Sequence, residues 1–107
     1  MEVDPVNGLA RFNLGCVHDR LGDTETAIAE FRMAIALVPH MADAHLNLAL
    51  AYDKLGNKDD ALVHLEHYLR DDPQGPWAEY ARLRLDAHRR LSRGGSSKVT
   101  PFRRNRR

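Results

Sequence analysis

Leu21-Gly22-Asp23-Thr24-Glu25-Thr26-Ala27 is followed, 34 residues on, by Leu55-Gly56-Asn57-Lys58-Asp59-Asp60-Ala61. The spacing extends outward in both directions. Pro5, Pro39 and Pro73 are 34 residues apart, and so are Asn13-Leu14 and Asn47-Leu48, and Asp19 and Asp53. Superposing 5–39 on 39–73 gives nine identities in 35 positions. Ordinary residue frequencies would give roughly two. A period of this length is that of a helix–turn–helix unit used repeatedly.

The repeated residues have mechanical reasons. Gly22 and Gly56 fall where a chain able to take positive φ ends a helix. Asp23 and Asn57 follow and can cap the next helix through side-chain oxygens. Ala27 and Ala61 are small enough to let two antiparallel helices approach. Pro39 and Pro73 stop the second helix of each pair, since proline has no donor and clashes with the preceding turn. Pro76 suits the first turn of a further helix. The pattern predicts five helices, at about 8–21, 24–38, 42–55, 58–71 and 76–92, and no strand.

These residues resemble the tetratricopeptide repeat. The first repeat, 8–41, reads Leu14-Gly15, His18, Ala27, Phe31 and Pro39. The second, 42–75, reads Leu48-Ala49, Tyr52, Ala61, Leu65 and Pro73. Arg11 and His45 stand where the family has Trp, His18 where it has Tyr, Ala49 for Gly and Leu65 for Phe. The resemblance covers roughly residues 5–92. It implies an all-α fold of antiparallel helix pairs stacked as a short right-handed solenoid. Residues 1–7 are then a lead-in, 76–92 a capping helix and 93–107 a disordered basic tail. On the capping helix Trp77, Tyr80, Ala81, Leu83, Ala87 and Leu91 form one apolar side, with charge on the rest.

In the family, the first helix of each pair lines a concave groove that binds a peptide or helix of a partner protein. The resemblance places Leu9, Phe12, Asn13, Cys16 and Arg20 there from the first helix. Asp43, Leu46, Asn47, Leu50 and Lys54 come from the third, and Trp77, Tyr80, Ala81 and Arg84 from the fifth. Each set recurs at helical spacing, so it forms one stripe. Phe12, Leu46 and Tyr80 are the expected apolar anchors. Asn13 and Asn47 occupy matching places, and an amide can donate to and accept from an extended backbone at once. The family's clamp for a chaperone's terminal carboxylate maps to Phe12, Cys16, Asn47, Trp77 and Ala81. Only one Asn survives and no base remains, so that ligand is not expected.

Other chemistry finds little support. The single Cys16 cannot form an internal disulfide, which fits a reducing compartment and a cytoplasmic location. His64 and His67 share a helix at i, i+3, but no second Cys and no HExxH accompany them, so no metal is expected. No nucleophile, base and orienting group can be assembled, and there is no glycine-rich phosphate loop. The expectation is a non-catalytic binding module without cofactor. No apolar run approaches the roughly 20 residues of a membrane span.

The net charge of +1 hides an asymmetry. Residues 1–92 hold all 15 Asp and Glu against 10 Lys and Arg, whereas residues 93–107 hold six bases and no acid. A basic tail with Phe102 among arginines could meet nucleic acid, the alternative reading of function. Residues 1–7 span at most about 25 Å and offer only Val3 and Val6 as apolar cover for the first helix pair. A two-fold dimer through that end is the expected form of self-association. Alternatively, Pro5 is in register with the repeat-ending prolines, as if this were a segment of a longer array.

Overall fold

The computed structural model describes residues 5–96, with side chains from 6 to 91. Within them Gly22 and Gly56 turn the chain at φ 85° and 79°, in the left-handed region where a Cβ is unfavourable. The next residue caps the following helix in each case. Asp23 accepts a hydrogen bond from the Thr26 amide and Asn57 from the Asp60 amide, both at 3.3 Å. Five helices result, α1 Pro5–Arg20, α2 Thr24–Leu37, α3 Ala42–Lys54, α4 Lys58–Asp71 and α5 Ala78–Ser96. No strand occurs among the described residues. Each helix packs mainly on its neighbours in the chain, α1 on α2, α2 on α3, α3 on α4 and α4 on α5.

The interior lies in two clusters, one per repeat junction. Ala27, Ile28 and Phe31 of α2 meet Leu48 and Ala51 of α3, with Phe12 and Cys16 at the edge. Leu46 and Ala49 of α3, Leu62, Leu65 and Tyr68 of α4, and Ala81 and Leu85 of α5 form the other. Close approach within the first pair depends on Gly15. A Cβ there would stand 2.5 Å from Cε1 of Phe31. The second pair has Ala49 and Leu65 at these two places, a larger residue facing a smaller one.

Three helix limits differ from expectation. The first helix opens at Pro5 rather than residue 8, because proline's fixed φ and missing donor suit a first helical position. The fifth opens at Ala78, not Pro76. The Trp77 amide donates to the Tyr68 hydroxyl at 3.0 Å, and its carbonyl accepts from Ala81, so Trp77 is the half-helical residue before the first turn. At the other end α5 continues through Gly94-Gly95 to Ser96, into the stretch expected to be tail. Each glycine costs a helix about 1 kcal/mol relative to alanine without forbidding it. The basic residues Lys98, Arg103, Arg104, Arg106 and Arg107 lie outside the described residues, as does Val3.

The caps give a direct test of the repeat's punctuation. Asp23→Ala and Asn57→Ala should each lower stability by about 1 kcal/mol, measured by urea unfolding. Equal and additive losses are expected, since the two caps share no partner. Loss at one site alone would show that the repeats do not use them equivalently.

Candidate partner-binding groove

Side chains on α1, α3 and α5 are tied to one another across the helices. Asn47 donates to the Cys16 thiol at 3.5 Å. Lys54 pairs with Asp19 at 2.7 Å. Arg84 reaches Asp53 with both terminal nitrogens, at 2.6 and 3.0 Å. Asp19 and Asp53 are repeat equivalents, so an aspartate on one first helix holds a base on the next, twice in succession. The sequence showed their common spacing but assigned them no role. The two-pronged contact of Arg84 is the stronger geometry. It also accepts company from Tyr80, whose hydroxyl oxygen takes a further hydrogen bond from Nη1 at 2.8 Å. Asp53 first, then Tyr80, raises the Arg84 pKa, while partial burial opposes them.

The sequence-predicted residues divide into three sets. Asn47, Lys54 and Arg84 are engaged in these ties, with Cys16 beneath Asn47. Leu9, Asn13, Arg20, Asp43 and Trp77 are exposed. Trp77 stands edge-on to Tyr80, with ring centroids 5.4 Å apart. Cys16, Asp19, Arg20, Asn47 and Leu50 line a pocket of about 210 Å³ between α1 and α3. Phe12 is half-buried against Phe31, with centroids 5.7 Å apart. Ala81 is fully buried in the second cluster.

Leu46 is a correction. It was expected to anchor a partner, yet it is 5% exposed and packs in the same cluster as Leu62, Leu65 and Ala81. Its place on the α3 stripe brings it under α5, which covers it. A charge at Leu46 would break the interior rather than probe a surface.

Burial pushes the Cys16 thiol above its ordinary pKa, and the Asn47 hydrogen bond offsets this only in part. A thiol held protonated is a poor nucleophile. His18, at the family's tyrosine place, is half-buried and 3.9 Å from Asp23. Three other histidines, His45, His64 and His67, gather elsewhere, between α3 and α4. The His45 ring is stacked with His67 at 4.7 Å and with His64 at 5.3 Å. No group of three or more His, Cys, Asp or Glu among the described residues has the geometry to hold a metal ion.

The comparisons with known proteins agree with this architecture. The family model "Tetratricopeptide repeat" matches residues 20–86. The chain is 30% identical over 114 aligned positions to the photosystem I assembly protein Ycf3 of Synechococcus elongatus, covering 95% of this chain and 63% of that protein. The Ycf3 of a second Synechococcus strain gives the same identity and coverage. The chain therefore spans 63% of the length of these curated relatives. None of the described helices is long and apolar enough to cross a membrane. With the repeat period, the glycine turns, the paired helices and the model match in agreement, the chain belongs to the tetratricopeptide repeat family.

Proposed function

We propose that this chain is a non-catalytic cytoplasmic adaptor that receives an extended segment or a helix of a partner protein along α1, α3 and α5. The row of cross-helix ties from Asp19 to Arg84 carries the reading. Side chains fixed by their neighbours lose little freedom on binding, which favours affinity. Around them Asn13, Arg20, Asp43 and Trp77 face solvent, so the row offers hydrogen bonds, both charges and an aromatic platform. This suits recognition by a groove with few anchors. The likeness to assembly proteins supports a role of the same kind, in which holding another protein is the whole activity.

Trp77 is the only tryptophan in the chain, so its emission reports on one end of the groove. Titration with a candidate partner peptide should shift that emission. Trp77→Ala and Asn13→Ala should each weaken capture of a cognate partner about tenfold or more, as truncation of an interface anchor does. Both side chains are exposed, so the circular dichroism should be unchanged. Undiminished binding by both variants would place the partner on another face.

A further inference from the structure

The 34-residue repeat also identifies a surface that no described helix covers. In the second repeat Leu48 and Ala51 pack with Ala27, Ile28 and Phe31 of α2 and are 0% and 1% exposed, and Ala44 on the same stripe is 0% exposed. Their equivalents in the first repeat are Ala10, Leu14 and Val17. No helix among the described residues lies on them, and Leu14 and Val17 are 45% and 48% exposed. Ala10 and Leu14, with Met33 and Leu37 of α2, border an apolar groove of about 410 Å³, and Val17 continues their stripe along α1. Among the described residues, the chain thus leaves open the same positions that it buries one repeat later.

We propose that this face is an interface between two copies of the chain, related by a two-fold axis that passes near Leu14. The order of side chains along α1 is self-complementary. Val6, Ala10, Leu14, Val17 and Leu21 recur at intervals of three and four, the spacing of a helix–helix seam. Laid antiparallel about a point between Asn13 and Leu14, Ala10 of one copy faces Val17 of the other. Small then opposes large, and Leu14 meets Leu14 at the centre. An isologous contact of this sort closes on itself. Charge does not oppose it. Arg11, the one charged residue that lines the groove, is already paired with Glu30 at 3.1 Å within each copy.

The other end of the molecule does not fit this face. By the same period Leu83 of α5 takes the place of Gly15 and Ala49, where a close second helix demands a small residue. Leu83 instead faces solvent among Arg82, Asp86 and Arg90. The charged outer side of α5, the last described helix, is a poor match for an apolar groove, so head-to-tail growth is disfavoured.

Area sets the strength. Two helices, each about 10 Å wide, the longer about 24 Å long, present a footprint of about 500 Å² per copy. The total of about 1,000 Å² is the smallest that supports a specific contact. The dimer is therefore a concentration-dependent one, with dissociation in the micromolar range.

Light scattering and sedimentation equilibrium on the full chain, from about 1 μM to about 1 mM, test it. The mass should rise from 12.1 kDa to twice that value and stop. Leu14→Glu should hold the mass at the monomer value throughout, with unchanged circular dichroism. Leu21→Glu, toward the end of the same stripe, should raise the dissociation constant at least tenfold, whereas Leu83→Glu should behave as the parent. A constant monomer mass at the highest concentration would overturn the proposal. So would growth beyond the dimer, or a dimer that survives Leu14→Glu. None of these outcomes bears on the peptide groove, which lies along a different face.

Discussion

Phe31→Ala is expected to cost about 3–5 kcal/mol, enough to unfold much of a domain this small at ordinary temperature. Phe31 is fully buried at the junction of three helices. It packs against α1 at Gly15 and Phe12, and it shares a cluster with Leu48 and Ala51 of α3. Truncation would leave a cavity that neither neighbour can fill, since one is a glycine and the others are held by the helix backbones. Urea unfolding should show a midpoint far below the parent's. A loss under about 1 kcal/mol would mean that the site collapses, contrary to the close packing usual in interiors.

The pair Gly15 and Phe31 also makes a sharper comparison, because the second repeat solves the same problem with Ala49 and Leu65. Gly15→Ala alone should overpack against the ring, outweighing the roughly 1 kcal/mol that alanine gains in a helix. Phe31→Leu alone should leave a gap. Together they recreate the second repeat's combination, so the double variant should be more stable than the sum of the two changes predicts. A coupling of about 1 kcal/mol or more is expected for groups in direct contact. Simple additivity would show that the two residues do not fill one space.

What the sequence made legible was whatever the repeat wrote twice. The glycine turns, the two caps, the buried Ala27 and Ala61 and the stopping prolines could be read because physics demands those residue types there. The groove was legible only as a stripe. Periodicity places Leu46 and Asn47 on one side of α3, but it cannot say that α5 covers the first and leaves the second at the edge. That depends on the crossing of two helices, 30 or more residues apart. The ties of Asp19 to Lys54 and of Asp53 to Arg84 were invisible for a related reason. Their partners are spaced by 35 and 31 residues, not by the period, so a search for repeats passes over them. The ends of α1 and α5 were misjudged where local rules alone applied. Pro5 was placed in a lead-in when it starts a helix, and a glycine pair was read as a break when the helix tolerates it.

The histidines of the second repeat predict loss of stability on mild acidification. In the first repeat, Arg11 and Glu30 make an ion pair between the two helices at 3.1 Å. The equivalent residues of the second are His45 and His64, with their Nδ1 atoms 3.0 Å apart. His45 Nε2 lies 3.0 Å from the Pro39 carbonyl and must donate to it. A neutral His45 then has an acceptor at Nδ1, which takes the proton of His64 Nδ1. Protonating His45 would set two N–H groups against each other.

Burial is the main cause that lowers both pKa values, that of His64 to about 4, with His45, His67 and Arg32 adding repulsion and Asp60 opposing it. Desolvation also leads for His45, where the Pro39 carbonyl and Asp71 oppose it and His67 and His40 assist. Because the folded pKa lies below the unfolded value of 6.5, the unfolded chain binds the proton more readily between the two. This contribution to stability is complete above about pH 6.5 and is lost as pH falls toward 4. Allowing for the half-exposed His64 ring, the expected loss is about 1–2 kcal/mol. Urea midpoints should fall between pH 7.5 and pH 5, before most carboxylates titrate. His64→Gln keeps a donor for His45 and removes the titration, so its midpoint should fall less over the same interval. Equal slopes for parent and variant would show that His64 is not the group being protonated.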